Sequence, residues 1–224
     1  MMTAVASHEL RDGEVCFVGI GLPNLACNLA KRTHAPHLVM IYESGAVGAT
    51  PSRVPVSIGD PALVTGSLMV CGMADVFQLF LQNGRIEVGF LGGAQVDRRG
   101  NINTTVIGPY AHPKVRLPGS GGAAEIAIHA RRVLIVSKLS PRAFPERVDF
   151  VTSPGDRVSK VITDKGVLER DAASGELVLA ALFPGVEPAE VQAGVGWELR
   201  ARPHVERLAP PTASDLRVLR DFDT

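Results

Sequence analysis

Two short apolar runs separated by an amphipathic stretch lie near the start of the chain, and they restrict it to folds built on a parallel β-sheet. The first run, residues 14–18, is bounded by glycines, as is typical of a buried strand. Pro23 suits the first turn of a helix that continues to Arg32, with apolar residues at positions 22, 25, 26, 29 and 30 on one face. Residues 38–42 form the second apolar run. Strand, helix and strand within about 30 residues is the unit of a parallel sheet.

Further apolar segments extend this pattern. Residues 86–91 and 132–136 predict two more buried strands, and residues 74–81 and 123–130 predict helices. After Gly155 the chain changes to short alternating segments, which predict appended strands at residues 160–163, 166–170 and 176–183, with a further strand at 197–200. Two helices are predicted at residues 188–193 and 213–220, the second with Ser214 as its cap. We therefore expect an α/β fold whose mostly parallel sheet is flanked by helices, with extra antiparallel strands toward the C-terminus.

The composition excludes several classes of protein. The 224 residues carry 23 basic and 23 acidic side chains, so the chain lacks the positive field of a nucleic-acid-binding protein. No apolar run approaches the about 18 residues that span a bilayer, and residues 1–9 do not have the pattern of a signal peptide. The three cysteines and six histidines lack the spacing of a metal or redox site. We expect a cytoplasmic protein with one domain over residues 1–224, its core at about 12–155 and appended strands and a closing helix at about 156–224.

A carboxylate directly follows the second predicted strand. In Tyr42-Glu43-Ser44-Gly45, Glu43 stands after an apolar run and before small residues, which places it at the carboxyl edge of the sheet, where α/β proteins hold their active sites. Glutamate is most often simply exposed at the start of a loop, and local sequence alone favours that interpretation. A functional role for Glu43 therefore needs support from a second feature.

That second feature is the glycine-rich segment Gly119-Ser120-Gly121-Gly122, which precedes a predicted helix. Backbone amides at such a place carry partial positive charge, and glycines let a ligand oxygen approach closely. The segment fits an anion site or an oxyanion hole, with a plain turn into the helix as the alternative. Two basic residues just upstream could meet phosphates, although such charges are more often solvated: Lys114 and Arg116. A strand-end carboxylate and an amide cradle together suit acyl chemistry with the carboxylate as nucleophile.

Gly19-Ile20-Gly21, after the first predicted strand, matches the dinucleotide-binding pattern only in part. Asn24 stands where that pattern needs its third glycine, and such a turn also serves merely to pack a strand against a helix. We therefore do not expect this chain to bind a nicotinamide cofactor.

Short motifs in a fixed order resemble those of a known family between about residues 12 and 193. They are Val18-Gly19-Ile20-Gly21-Leu22-Pro23, Tyr42-Glu43-Ser44-Gly45, Ser57-Ile58-Gly59-Asp60, Gly92-Gly93-Ala94-Gln95-Val96-Asp97, Gly100-Asn101-Ile102-Asn103, His112-Pro113-Lys114, Gly119-Ser120-Gly121-Gly122-Ala123 and Val151-Thr152-Ser153-Pro154-Gly155. Their number and order make the chain similar to the class I coenzyme A transferases, most of all to B subunits of the glutaconate type. The resemblance implies the α/β architecture that these transferases share with sugar-phosphate isomerases.

The resemblance implies a role for several residues. Glu43 is then the catalytic nucleophile, which attacks an acyl-CoA thioester and later carries CoA as a glutamyl thioester. Backbone amides around Gly121 and Gly122 would stabilise the oxyanion. Implied with less support are substrate contacts at Ser44, Gly45 and Gln95, and CoA contacts at Lys114 and Arg116.

The resemblance also implies a partner and a class of substrate. Such B subunits act with a separate A subunit of related fold, commonly as a dimer of heterodimers, with the active site between them and much of the CoA contacted by the A subunit. Coenzyme A is a carrier on the substrate, and no permanently bound cofactor or metal is implied. The acids exchanged would be small carboxylic or dicarboxylic acids, glutaconate-like or 3-oxoacids.

One departure from the family leaves the acid less constrained than the reaction. Only residues 156–160 separate Gly155 from Val161, where the glutaconate enzyme carries a longer glycine-rich insertion. A CoA-ester hydrolase or decarboxylase of the same fold stays open as an alternative, although such relatives lack the glutamate found at Glu43. A non-catalytic sugar-phosphate sensor domain is a third interpretation, which the missing DNA-binding segment and the intact Glu-Ser-Gly disfavour.

Overall fold

The computed structural model describes residues 1–222 and divides into two units. The first comprises Met1–Phe90, His129–Arg132 and the C-terminal stretch from Pro211, and the second comprises Leu91–Ile128 and Val133–Pro210. Neither unit is a continuous stretch of chain, so no single boundary in the sequence separates them. The assignment of one domain to residues 1–224 stays a prediction.

Within residues 1–222 the chain forms six α-helices and fourteen strands. The helices are α1 Met2–His8, α2 Leu22–Arg32, α3 Met73–Asp75, α4 Ala123–His129, α5 Pro188–Gln192 and α6 Ala213–Phe222. The strands are β1 Val15–Phe17, β2 Val39–Ile41, β3 Ala46–Val47, β4 Met69–Val70, β5 Val88–Leu91, β6 Gln95–Val96, β7 Ile102–Asn103, β8 Val106–Ile107, β9 Val115–Arg116, β10 Arg132–Val136, β11 Val158–Ile162, β12 Gly166–Arg170, β13 Leu177–Leu182 and β14 Ala201–Arg207. A short 3₁₀ helix covers Pro61–Val64, and α3 continues as a π-helical segment over Val76–Leu81.

The first unit is built on a sheet with the strand order β5-β1-β2-β3-β4. Strand β1 pairs in parallel with both β2 and β5, with Cys16 opposite Met40 on one side and Val88 on the other. Strands β3 and β4 extend the sheet in antiparallel pairing, and β4 lies at its edge. The parallel centre agrees with the strand-helix-strand pattern of the sequence, whereas β3 and β4 are too short to give a sequence signal.

Helix α2 begins as the sequence predicts and packs through small side chains. Pro23 occupies its first turn, where a missing backbone N–H has no cost. Ala26, Cys27 and Ala30 are fully buried, and α1 and α6 both contact this helix. Small residues on the buried face let neighbouring backbones approach closely, so α2 sits tightly within the first unit.

The second unit contains a sheet with the order β10-β11-β12-β13-β14 and two separate hairpins, β6-β7 and β8-β9. Strands β10 and β11 are parallel, and β11, β12 and β13 form the antiparallel meander expected after Gly155. Strand β13 is buried along its whole length, and β14 pairs with it in parallel as an exposed edge. The predicted α/β class, with antiparallel strands toward the C-terminus, is confirmed.

The prediction of a strand at residues 197–200 is wrong, because β14 begins only at Ala201. The side chain of Gln192 explains the difference. Its Nε2 donates to the Trp197 carbonyl and its Oε1 accepts from the Leu199 N–H, both at 2.8 Å. These bonds occupy backbone groups that a strand would use for pairing, so the segment approaches the sheet as an irregular connection.

The cap predicted for α6 is also wrong. Thr212 caps this helix in place of Ser214: the Asp215 N–H donates to Thr212 Oγ1 at 3.1 Å, and the Thr212 N–H donates to the Asp215 carboxylate at 2.9 Å. This reciprocal pair satisfies two amides that a helix start leaves open. Of the helices within residues 1–222, none combines the length and apolarity needed to cross a membrane.

Candidate active site

Glu43 lies in a tight turn that joins β2 to β3. The Gly45 N–H donates to the Tyr42 carbonyl, and the Tyr42 N–H donates to the Ala46 carbonyl, both at 2.9 Å. The turn therefore closes immediately after the parallel centre of the sheet, and its two projecting residues are Glu43 and Ser44. As expected, Glu43 comes just after a buried strand, with only Tyr42 between it and β2, and the chain then turns back into the antiparallel strand β3.

Gly45 allows this turn because no other residue fits there. Its φ of +109° is a backbone conformation that residues with a Cβ rarely adopt. A Cβ at this position would lie 1.9 Å from the carbonyl oxygen of Cys71. The Cys71 N–H in turn donates to the Gly45 carbonyl at 3.0 Å. Gly45 is thus a structural residue of the turn, held against the segment that follows β4.

The buried side chain of Tyr42 connects the turn to helix α2. Its side chain is fully buried, and its hydroxyl oxygen accepts a 2.7 Å hydrogen bond from Asn24 Nδ2 in α2. Asn28 Nδ2 donates to the Asn24 carbonyl and to its Oδ1, both at 3.0 Å. Burial raises the pKa of the Tyr42 phenol above its ordinary value. This polar cluster was not among the predicted features, and its signal in the sequence is two asparagines spaced by four on one helix.

The carboxylate of Glu43 is half-buried and, among the residues that the structure describes, has no hydrogen bond or ion pair to its side chain. Ser44 is exposed beside it. A carboxylate tied to an arginine would be a weak nucleophile, because its charge would already be neutralised. Glu43 therefore combines a fixed backbone with a side chain that is available for reaction.

The loop of residues 51–60 is held in place by the Asp60 side chain. The Asp60 carboxylate accepts two bonds from Arg53, at 2.7 and 2.9 Å, and one each from the backbone amides of Val56 and Ala62, both at 2.9 Å. These bonds hold the pKa of Asp60 well below its usual range. The motif Ser57-Ile58-Gly59-Asp60 is therefore explained by loop structure.

The glycine-rich segment in the second unit is open. Gly119 and Gly121 have φ values of +101° and +48°, and no atom lies within 4 Å of where their Cβ atoms would be. The Ala124 N–H donates to Ser120 Oγ at 3.3 Å, so Ser120 closes the start of α4. Within residues 1–222 the N–H groups of residues 120–122 donate no hydrogen bond. Three free amides on an open loop match the requirements of an oxyanion hole.

Lys114 and Arg116 lie on the hairpin that leads into this loop. Arg116 is exposed and Lys114 is exposed beside it on the same hairpin. The Arg116 guanidinium lies 5.1 Å from the centre of the Tyr110 ring, which stacks on Phe150 at 5.4 Å. The Arg116 guanidinium is thus held in place by aromatic side chains, whereas Lys114, directly before β9, has no such contact among residues 1–222.

Gln95 is part of a buried network. Its Oε1 accepts from Asn103 Nδ2 at 2.7 Å and from the Asp149 N–H at 3.1 Å, and its Nε2 donates to the Asp149 carboxylate at 3.2 Å. Asp149 also accepts from the Gly108 N–H at 2.9 Å. These contacts fix the hairpins β6-β7 and β8-β9 to each other. The assignment of Gln95 to substrate contact stays a prediction, and Asn103 and Asp149 are the partners that sequence reasoning missed.

The predicted residues fall into two groups. The first unit holds the turn of Glu43, Ser44 and Gly45, and the second unit holds Lys114, Arg116, Gly121, Gly122 and Gln95. Within the described range, residues 1–222, no three His, Cys, Asp or Glu side chains are grouped to bind a metal ion. Cys16 and Cys27 approach to 3.6 Å between sulfurs, but both are fully buried free thiols.

The family model for coenzyme A transferase matches residues 1–194 of the chain. The chain belongs to this family. It is a B subunit of the class I CoA-transferases, as the sequence motifs predict.

Individual relatives support this assignment across the chain. It is 47% identical to the B subunit of the 3-oxoadipate CoA-transferase of Pseudomonas knackmussii, with 100% of this chain and 92% of the relative covered. It is 34% identical to the B subunit of the glutaconate CoA-transferase of Acidaminococcus fermentans, with 95% and 87% covered. The crystal structure of that glutaconate enzyme is similar with a TM-score of 0.92 at 31% identity, covering 99% and 92%. The decarboxylase AibA/AibB is similar with a TM-score of 0.91 at 26% identity, covering 99% and 92%.

Proposed function

We propose that this chain is the nucleophile-bearing subunit of a transferase that moves CoA between an acyl-CoA and a dicarboxylic acid, through a thioester on Glu43. The observation that carries the proposal is the state of Glu43, a half-buried carboxylate without a side-chain partner in residues 1–222, on a turn fixed by Tyr42 and Gly45. A nucleophile needs this combination of a defined position and an uncommitted charge.

The reaction follows from the chemistry of the carboxylate. An oxygen of Glu43 attacks the thioester carbonyl, and the C–S bond breaks to release the CoA thiolate and a mixed anhydride. The thiolate then attacks the carbonyl of Glu43, which expels the donor acid as its carboxylate and leaves a glutamyl-CoA thioester. The carboxylate of the acceptor acid reverses both steps. Covalent catalysis in this way replaces one difficult displacement by several easier ones.

The oxyanion that forms on the thioester carbonyl needs preorganised donors. The free amides of residues 120–122 are the donors that we assign to it, because they are unpaired within residues 1–222 and no side chain covers the loop at Gly119 and Gly121. Removing one such donor typically costs about 10²–10³ in rate. We assign Lys114 and Arg116 to the phosphates of CoA because both are cations on the hairpin that leads into this loop.

A second chain completes this enzyme in our proposal. Relatives of this chain are named as B subunits, and the similar decarboxylase is named as a pair, AibA/AibB. We therefore propose that an A-type subunit of related fold binds this chain and contributes to the CoA site, in a heterodimer that pairs again. We place the complex in the cytoplasm, where acyl-CoA is available.

The acid is proposed from two relatives that match nearly the whole chain. One is named for 3-oxoadipate and the other for glutaconate, and both compounds carry carboxylates at the two ends of a short chain. We propose 3-oxoadipate first, because the 47% identity extends over the whole chain. The assay is CoA transfer from succinyl-CoA or acetyl-CoA to 3-oxoadipate, with glutaconate and a monocarboxylate as competitors.

The nucleophile is tested by Glu43→Ala and Glu43→Gln in the complete complex. Each should lower CoA transfer by at least about 10³-fold, as expected when a covalent nucleophile is removed. Intact-mass spectrometry after incubation with acyl-CoA should detect the CoA adduct on wild type and not on either variant. Glu198→Gln, at an exposed glutamate in the second unit, is the matched control and should retain full activity. Transfer or adduct formation that persists in Glu43→Ala contradicts the proposal.

A decarboxylase or hydrolase is the second candidate, because AibA/AibB has the same fold at 26% identity. Release of CO₂, or hydrolysis of acyl-CoA that is not slowed by an acceptor acid, would identify it. The uncommitted Glu43 favours transfer, since the glutamyl thioester is an intermediate that only the transferase requires.

A further inference from the structure

Large apolar side chains are exposed in a cluster along residues 56–73 of the first unit. Val56 is 82% exposed, Leu68 79% and Val70 61%. Four others with substantial exposure complete the cluster: Ile58, Val64, Met69 and Met73. Single exposed apolar residues are normal on a protein surface, but seven within residues 56–73 are a concentration typical of a surface that another molecule covers.

Charge is nearly absent from the same stretch. Residues 51–74 contain two charged side chains, Arg53 and Asp60, and these bind each other through two hydrogen bonds of 2.7 and 2.9 Å. The stretch therefore presents neither net charge nor an unpaired ion. Depletion of charge distinguishes the centre of a permanent protein interface from ordinary surface.

Strand β4, Met69–Val70, gives this surface a backbone that can bind another chain. It lies at the edge of the sheet of the first unit, and both of its side chains are exposed. Natural edge strands are usually protected by lysine, proline or a bulge, because an open edge pairs with other chains. The sequence Leu68-Met69-Val70 contains neither lysine nor proline. An open apolar edge suits a protein partner better than a small ligand.

We infer that this surface, defined by Val56, Ile58, Val64, Leu68, Met69, Val70 and Met73, is the binding site of the A-type subunit. The inference rests on the proposed function for the existence of that subunit. The occupant follows from the continuity of this surface with the Glu43 turn. Cys71, next to β4, donates its N–H to the Gly45 carbonyl at 3.0 Å, and its carbonyl oxygen lies 1.9 Å from where a Cβ on Gly45 would be. A chain seated on β4 therefore lies next to the segment that is bonded to the turn of Glu43, where the missing half of the active site has to be.

The test uses Leu68→Glu and Val70→Glu in the full-length chain, mixed with the A-type subunit of the same organism. A glutamate buried without a partner in an apolar interface is strongly unfavourable, so each variant should weaken the complex by about a hundredfold or more in analytical ultracentrifugation. Both side chains are exposed in the isolated chain, so its circular dichroism and melting temperature should not change. Leu216→Glu, at a 39% exposed position on α6, is the control and should bind as wild type does.

A second measurement covers the case in which a variant does not fold. Hydrogen exchange on the wild-type chain should show the amides of Leu68, Met69 and Val70 slowed by about tenfold or more when the A-type subunit is added. Unchanged affinity of both variants, or unchanged exchange in a complex that forms, overturns the inference while leaving the transferase proposal intact.

Two other outcomes separate the remaining possibilities. If the variants abolish self-association of this chain and leave its affinity for the A-type subunit unchanged, the occupant is a second copy and the inference is wrong. If the wild-type chain associates with no A-type subunit, or transfers CoA alone, the two-subunit proposal fails and the inference fails with it. Loss of the complex in both glutamate variants, with an intact Leu216→Glu complex, supports the inference.

Discussion

Replacing Gly45 by alanine tests the structure of the Glu43 turn without reference to any substrate. Two effects act at this position. The φ of +109° places an L-residue in an unfavourable region, at about 1–2 kcal/mol. The new Cβ would also lie 1.9 Å from the Cys71 carbonyl, so the segment after β4 has to move, and such overpacking costs about 1–3 kcal/mol.

The movement has a further cost because the Cys71 N–H donates to the Gly45 carbonyl. Weakening that bond removes about 0.5–1.5 kcal/mol. We expect Gly45→Ala to lower the free energy of unfolding by about 2.5–6.5 kcal/mol, which is a large part of the stability of an ordinary domain.

Gly13→Ala is the matched control. Gly13 also has a positive φ, +79°, but no atom lies within 4 Å of where its Cβ would be, so only the conformational cost of about 1–2 kcal/mol applies. Urea unfolding followed by circular dichroism measures both variants. If Gly45→Ala loses no more stability than Gly13→Ala, the close approach of Cys71 to the turn does not exist in solution and the reasoning is refuted.

Two further predictions concern buried polar groups. Tyr42→Phe leaves Asn24 Nδ2 without its acceptor and should cost about 1–3 kcal/mol in urea unfolding. Burial keeps the pKa of Tyr42 raised in the folded state, so the phenol ionises first in the unfolded state. The free energy of unfolding should therefore fall as pH rises above about 10, the ordinary pKa of tyrosine, in wild type and not through this group in Tyr42→Phe. The lowered pKa of Asp60 acts oppositely: its pairing with Arg53 stabilises the loop above about pH 4 and is lost as pH falls below that value. Limited proteolysis of residues 51–60 should therefore increase in acid, and Asp60→Asn should be cleaved readily at all pH values.

The central strands and α2 were predictable because their signals are local. Apolar runs at residues 14–18, 38–42 and 132–136 are long enough to be buried, and Pro23 marks the helix start. The observed bounds differ at the ends, since the turn after β2 uses the Tyr42 N–H for its own closure. The strand β10 has the limits that the sequence predicts.

Three other parts of the fold were not predictable because their sequences carry no clear local signal. The segment before β14 is irregular because the Gln192 side chain forms hydrogen bonds with backbone groups of this segment, and nothing in residues 197–200 indicates these bonds. The π-helical segment Val76–Leu81 has the sequence of an ordinary helix, because apolar spacing does not distinguish the two hydrogen-bond patterns. Helix α1 was also not foreseen, since residues 1–9 contain neither a cap nor a clear apolar face.

The Glu43 position was correctly placed after a strand, but its surroundings were not foreseen. The sequence predicts a carboxylate at a sheet edge, and the structure adds Tyr42 held by Asn24 beneath it. Gln95 could be ranked as a candidate from its motif, yet only the fold reveals that both ends of its amide are already bonded. Motifs name residues, whereas the bonds that use up their polar atoms depend on residues far along the chain.

The closure of the β2-β3 turn has a consequence for how this enzyme can diversify. One added or deleted residue between Tyr42 and Ala46 would shift the pairing of β3 by a single position, and every side chain of that strand would change face. Length variation is therefore forbidden around Glu43. Substitutions that keep the length of this turn are the changes that the pairing of β3 tolerates.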